Sequence, residues 1–298
     1  MSSEVQRQSF DTRSASEPNS CVCCERVGTF LPPRWGYAAC SSCGVLRNDP
    51  FPSVDEIVQH YEQRSEGGNY DVGSISEFDG FRKSVFRDGL TRLLKHLPAG
   101  LAGKRVLDVG CFTGLSLEVI QENGGIPFGI ELQSEAAQVA ESKFPGRVYS
   151  CDICRRLPFD TKFTAVTLTD VLEHLHDPLA ALQTLSAALE PGGHILFTTP
   201  NAASPLATVL GKHWPSRCPI HHIYLFNPTN VRRLLARAGF DMLECTPLAK
   251  RYSLEYVGWV LPNLSPTLGK LFRLIPKAFH KLVLPMRGGE MLIVARKR

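Results

Sequence analysis

Four cysteines fall into two C-x-x-C pairs, Cys21/Cys24 and Cys40/Cys43, with fifteen residues between the pairs. That spacing matches two metal-binding knuckles. Each pair brings two thiolates to one side of a turn, and two pairs close a tetrahedron with no vacant position, so the expected zinc ion is structural. A cluster of reduced free thiols is the alternative. A second pattern is Asp108-x-Gly110-x-x-x-Gly114, followed by Glu131 at the tip of the next apolar run. A strand entering a glycine turn and then a helix presents free backbone N–H groups at the carboxyl edge of a sheet, where nucleotide-like ligands bind. An acid at the end of the second strand is placed to accept hydrogen bonds from both ribose hydroxyls. The turn lacks the G-x-G-x-x-G spacing of a dinucleotide site, and Asp108 would repel a pyrophosphate while suiting an ammonium or sulfonium. A nucleoside cofactor carrying positive charge is therefore expected.

These residues need elements to hold them. Apolar runs predict strands near 104–109, 126–131, 147–150, 163–169 and 193–199, with helices near 113–123, 133–143 and 178–188. Asn230 to Ala238 reads as a helix closed by Gly239, and Phe240 to Cys245 as a further strand. Alternation of this kind predicts an α/β, Rossmann-like, doubly wound parallel sheet. Upstream, Met1 to Pro18 is polar and aperiodic and is expected to be disordered. The zinc ribbon is expected over 19–48, and a linker and helical lid over 49–100. Within that stretch a helix is expected from Val54 to Tyr61, a cofactor-covering loop at Gly67–Asp71, and a helix from Phe81 to Leu97. The second domain then occupies 101–298.

The turn resembles motif I of the class I S-adenosylmethionine-dependent methyltransferases, and the likeness continues through Glu131, Asp152, Asp170-Val171-Leu172-Glu173-His174 and Leu189-Glu190-Pro191-Gly192-Gly193. It spans roughly residues 100–245 and, ribbon included, is closest to bacterial methyltransferases of sugar and secondary-metabolite pathways. The resemblance implies a seven-stranded sheet whose last strand, Glu290 to Ala295, is antiparallel. It implies S-adenosylmethionine as cofactor, with Asp108, Gly110 and Gly114 at the methionine end, Glu131 on the ribose and Asp152 on the adenine amino group. Asp170 belongs to the same motif set. Many relatives carry Gly where this chain has Phe112. In relatives acting on sugars and quinones, a His borders the acceptor at the positions of His174 and His222. His222 is accordingly expected as general base, with His174 as second choice and His221, where some relatives have Glu, beside them. Imidazole suits the role because its ordinary pKa near 6.5 lets it take a proton at neutral pH.

Other residues receive plainer readings. Glu173 and Asp177 read as loop and helix-capping acids, not as a hydrolase pair. Cys151-x-x-Cys154 has no partner pair and reads as coincidence. Net charge is +4, and the ribbon holds few cations (Arg26, Arg34 and Arg47), so no nucleic-acid partner is expected. Residues 261–298 instead carry eight Lys and Arg against Glu290 alone. In that stretch, Leu268, Leu271, Phe272, Ile275, Phe279 and Leu282 recur at helical spacing, giving an amphipathic insertion over about 250–285 with a break at Pro276. The insertion reads as a lid packed over the acceptor pocket, or else as a peripheral membrane contact through 265–285. No apolar run reaches the ~20 residues of a membrane span, and Met1 to Ser20 has no signal-like apolar core, so a cytoplasmic enzyme is expected. The expected acceptor is a small molecule, a nucleotide- or lipid-linked sugar or a quinone. The competing functions are a non-catalytic cofactor-binding scaffold with the ribbon as interaction module, and an RNA or protein methyltransferase.

Overall fold

The computed structural model describes residues 20–24, 26, 30–53, 56, 57, 59, 79–153, 157–280 and 282–298. The expected disordered tail, the Gly67–Asp71 loop and Cys154 lie outside the described residues, as does most of the Val54–Tyr61 helix.

The main sheet has seven strands: β3 (Arg105–Val109), β4 (Ile126–Glu131), β5 (Val148–Ser150), β6 (Phe163–Thr169), β7 (Leu189–Pro200), β9 (Phe240–Ser253) and β10 (Val283–Lys297). Their order is β5-β4-β3-β6-β7-β10-β9. The first five run parallel, and β10 lies antiparallel between β7 and β9. In β3, Val106 to Val109 are all inside. That explains its near-continuous apolar sequence, since helices cover both faces of such a sheet.

Local chemistry sets the helix starts. The helix α1 spans Asp79–Leu94, α2 Leu115–Glu122 and α3 Ser134–Lys143. Helix α4 (Pro178–Ala188) opens on Asp177, whose carboxylate accepts the Ala180 N–H with Pro178 behind it, as expected of that pair. A short helix α5 (Pro205–Leu210) follows β7, and α6 (Pro228–Arg237) starts with a reciprocal Asn227/Asn230 capping box. Glu173 is not a capping residue. It is buried, and its carboxylate accepts the Thr199 hydroxyl at 2.9 Å.

The cysteine-bearing segment contributes β1 (Tyr37–Ala39) and β2 (Leu46–Asn48), an antiparallel pair. A third strand, β8 (Tyr224–Leu225), joins them from the far end of the chain, pairing Leu46 with Leu225 and Arg47 with Tyr224. Cys21, Val22, Cys23, Cys40, Cys43 and Val45 also share one buried cluster with Leu107, Phe226, Val231 and Leu234. The ribbon is thus a corner of the larger core. Some thirty residues bury too little to stand alone, and here the segment shares the core of the larger domain.

The C-terminal insertion differs from expectation in its strands and its break. β9 and β10 run on to Ser253 and from Val283, well past the predicted Cys245 and Glu290, and pair with each other there. Between them lie α7 (Leu254–Leu264) and α8 (Pro266–Phe272). The break comes at Ser265, which is extended because it precedes Pro266, so the chain has left the helix before Pro276. Most of the apolar side chains predicted to pack as a lid are outside: Leu268 is 43% exposed, Leu271 56%, Phe279 55% and Leu282 50%, while Phe272 is buried.

Candidate functional site

The turn after β3 is built by three left-handed residues, Gly110 (φ +76°), Phe112 (φ +47°) and Gly114 (φ +86°). The Gly110 and Cys111 N–H groups both donate to the Ile130 carbonyl, at 2.8 and 3.2 Å. A Cβ at Gly110 would sit 2.7 Å from the Val171 side chain, so only glycine allows the turn to approach the loop after β6 this closely. Phe112 adopts a conformation glycine would enter freely, at a cost of ~1–2 kcal/mol for a residue with a Cβ.

Two acids tie this turn down. Asp108 is buried beneath it and accepts hydrogen bonds from the Ser116 and Thr167 hydroxyls. Burial pushes its pKa up to about 7, against the opposing pull of those two hydroxyls. Glu131 ends β4 and accepts the Phe112 N–H on one oxygen and the Gln133 N–H on the other, both at 2.9 Å. Burial raises its pKa while these backbone donors lower it. A carboxylate has about four lone-pair sites, so acceptor capacity remains beyond the Gln133, Phe112 and Leu132 donors. Asp152 lies just past β5, partly buried. Asp170 follows β6 in a left-handed conformation (φ +55°) and accepts the Thr198 hydroxyl at 2.8 Å.

The three histidines come together. His174 closes a single helical turn, Leu172–His174, while His221 and His222 precede β8. Ring centroids are 4.5 Å apart for His174/His221, 4.8 Å for His174/His222 and 5.1 Å for the stacked His221/His222 pair. His174 Nδ1 lies 2.6 Å from the His221 carbonyl oxygen, and His222 Nδ1 lies 2.7 Å from that of Ser216. A carbonyl oxygen only accepts, so in both neutral rings Nδ1 carries the proton and Nε2 holds the lone pair. The Ile223 N–H donates to the Glu173 carbonyl at 2.8 Å, joining the two histidine-bearing segments.

The ribbon reaches the same place. The Tyr37 hydroxyl donates to the His222 carbonyl at 2.8 Å, and the Asn48 N–H donates to the Ile223 carbonyl at 2.9 Å. Burial pushes the Tyr37 phenol upward, so it remains a donor. Arg217 lies over the rings of Trp35 and Tyr37, and a Cβ at Gly36 (φ +81°) would meet Pro219 at 2.7 Å. Tyr37 and Asn48 escape sequence reading, because nothing within twenty residues of either hints at a partner 175 or more positions away.

The four cysteines also converge. Cys21 Sγ lies 3.5 Å from Cys43 Sγ and Cys24 Sγ 3.6 Å from Cys40 Sγ, with all four ligand atoms within 4.8 Å. Those spacings are near the ~3.8 Å edge of a tetrahedron with ~2.3 Å zinc–sulfur bonds, so the donor set fits a zinc ion. Arg237 donates to the Cys21 and Val22 carbonyls from α6. Cys23 is buried beside the four as a spare thiol.

A family model described as "Methyltransferase domain" matches residues 78–245. The ubiquinone biosynthesis O-methyltransferase of Idiomarina loihiensis is 30% identical over 202 residues, 60% of this chain and 83% of that protein. The protein of the same name from Acinetobacter baylyi is 27% identical over 184 residues, 55% of this chain and 74% of its own. A chain from the complex between the Haloferax volcanii Trm112 methyltransferase activator and a methyltransferase has the same fold. It matches at a TM-score of 0.52 and 16% identity, covering 83% of this chain and 99% of that one.

Proposed function

Because the chain belongs to the methyltransferase-domain family, as a class I S-adenosylmethionine-dependent enzyme, we propose that it methylates a hydroxyl of a small-molecule acceptor, a quinone-type ring ahead of a linked sugar. One observation carries the reading. His174, on the loop after β6 whose Val171 packs near Gly110, and His222 lie with ring centroids 4.8 Å apart, and the backbone carbonyls at their Nδ1 atoms make Nε2 the basic nitrogen of each ring. The hydroxyl acceptor is favoured by the O-methyltransferase names of both relatives.

S-adenosylmethionine supplies an already activated methyl group on a sulfonium. The protein's part is to hold, align and deprotonate. Glu131 takes the ribose hydroxyls with the lone pairs its backbone donors leave over. The Gly110–Gly114 turn, stiffened from below by Asp108, receives the methionine end, with Asp170 at its side, and Asp152 takes the adenine amino group. His222 Nε2 accepts the acceptor's proton as first choice and His174 as second, with His221 completing the wall. Cys21, Cys24, Cys40 and Cys43 hold a structural zinc ion, whose ribbon supports the His222 loop through Tyr37.

Calorimetric titration with S-adenosylhomocysteine tests the cofactor site. Micromolar binding that Glu131→Ala loses is expected, followed by label transfer from S-adenosylmethionine to catechols in preference to nucleotide sugars. Absence of binding by the folded protein would overturn the reading in favour of a scaffold.

A second reading concerns where the acceptor is met. Exposed Leu268, Leu271, Leu274, Phe279 and Leu282 beside Lys270, Arg273 and Lys277 favour contact with an anionic lipid surface, and so a hydrophobic or lipid-linked acceptor. No helix among the described residues is long and apolar enough to cross a membrane. Co-sedimentation with anionic vesicles at low salt, lost at high salt, is the expected result; no sedimentation at low salt would remove this reading.

A further inference from the structure

We propose that His174, His221 and His222 form a binding site for a divalent transition-metal ion, which takes the acceptor oxygen as a further ligand. This rests on the hydroxyl-methylation reading above and changes how the hydroxyl is activated there.

The donor set is the first ground. One ligand nitrogen from each of the three rings lies within 4.8 Å of the others, drawn from two segments that meet at this one place. Side-chain rotations bring such atoms to a common ion with bonds near 2.1 Å, His221 leaving its stack on His222. Three neutral imidazoles select zinc, cobalt, nickel or iron over magnesium or calcium, which prefer oxygen. Three protein ligands also leave coordination positions open, the arrangement of reactive and not of structural ions.

The second ground is orientation. A metal-binding histidine almost always donates its other N–H to a carbonyl or carboxylate, which fixes the tautomer and aims the ligating nitrogen. His174 and His222 both do so, at 2.6 and 2.7 Å, through backbone carbonyls that cannot move independently of the loops. Those loops are held in turn. The His222 N–H donates to Cys218 and the His174 N–H to Val171, at 2.8 and 3.0 Å, and Tyr37 grips the His222 carbonyl. A single general base would need one such ring; this place has two aimed rings and a third against them.

The third ground is chemical sense. An acceptor oxygen that lends a lone pair to a divalent ion loses its proton more readily, as metal-bound water does. In the step proposed, the acceptor O–H bond breaks and its proton passes to solvent water. The oxygen's electron pair then forms the new O–CH₃ bond while the C–S bond breaks, its pair returning to sulfur as a thioether. No oxidant or reductant is needed. Two open positions would favour acceptors with adjacent oxygens, such as catechols, over isolated hydroxyls.

The test is metal stoichiometry by elemental analysis, joined to cobalt(II) titration of the full chain. Wild type is expected to hold two ions per chain. One would show thiolate-to-cobalt charge-transfer bands from the cysteine set. The other would show only ligand-field bands, and these would shift when catechol is added without any cofactor. His174→Gln and His222→Gln should each keep the thiolate signature and lose the second ion, with circular dichroism confirming the fold. One ion per chain in wild type, unchanged in both variants, would overturn the proposal. If methyl transfer to catechol then persists, the methylation reading survives with His222 as base. If two ions are present and S-adenosylhomocysteine fails to bind, the methylation reading fails and the metal site stands.

Discussion

The cysteine and histidine clusters are alike in that each gathers its ligand atoms within 4.8 Å, yet they are held together by opposite means. The cysteine set is local. Its two knuckles are each closed by their own turn, with the Gly44 N–H donating to the Cys40 carbonyl and the Cys24 N–H to Cys21, and its sulfurs already stand near tetrahedral spacing. Three of the four are buried, so the set leaves little room for a substrate. The histidine set is partly exposed and joins residues 47 positions apart. Its geometry depends on the backbone carbonyls of Glu173, Ser216 and His221 and on a tyrosine from the other cluster's strand. A site meant to stay shut can be specified by a short stretch of chain. The partly exposed histidine set borrows its rigidity from neighbours.

The sharpest way to break this contrast is Cys40→Ser. Structural zinc in small ribbons contributes ~10–16 kcal/mol to folding, so the variant should lose its metal and melt far earlier. Amide exchange at Ile223 to Leu225 should accelerate along with that of the ribbon itself. An unchanged melting temperature would mean the cysteines do not hold a structural ion. His222→Ala should do the reverse, lowering turnover by ~10²–10⁴ while melting within a few degrees of wild type and keeping S-adenosylhomocysteine affinity. A comparable loss of stability would erase the distinction between the clusters.

Asp108 supplies a stability term belonging to neither cluster. Its folded pKa is raised to about 7 from an ordinary 3.8, so between those values the folded chain holds a proton that the unfolded chain has released. That contribution is complete below pH ~4 and declines as pH rises toward 7. Denaturant melts across this window should show the decline in wild type and not in Asp108→Asn; parallel curves for the two would refute the assignment. Smallest in size is Tyr37→Phe, which removes one buried hydrogen bond worth ~1–3 kcal/mol. It should lower kcat by about tenfold with cofactor affinity intact. If kcat holds, the ribbon stabilises the fold without positioning the loop.

What could be read from the sequence was whatever repeats locally. Val106 to Gly114 announces a buried strand, a glycine turn and a helix start in nine consecutive residues. The C-x-x-C pairs, and the Asp177-Pro178 cap, carry their own signals in the same way. The parallel sheet and its antiparallel last strand follow from alternation and from the family likeness. Pairings across long separations leave no such trace. Leu225 looks like any apolar residue before an Asn-Pro helix start, and nothing near it names Leu46 as its partner. Glu173 shows the same limit, since a buried acid satisfied by Thr199 and a loop acid in water are spelled alike. In the insertion, the helical spacing of Leu268, Leu271 and Phe272 was correctly periodic, but periodicity cannot say whether the apolar stripe meets protein or stays outside.

Tyr37 reaches a carbonyl 185 residues further along the chain, and β2 waits almost as long for β8. On the ribosome, the ribbon is therefore finished long before the strand that completes its sheet has been made. Until Leu225 emerges, Leu46 and Arg47 present an unsatisfied backbone edge, a surface inviting wrong pairing. His221 and His222 are made just before that edge can close, so a chain stalled before residue 221 has neither the paired ribbon edge nor the three-histidine cluster.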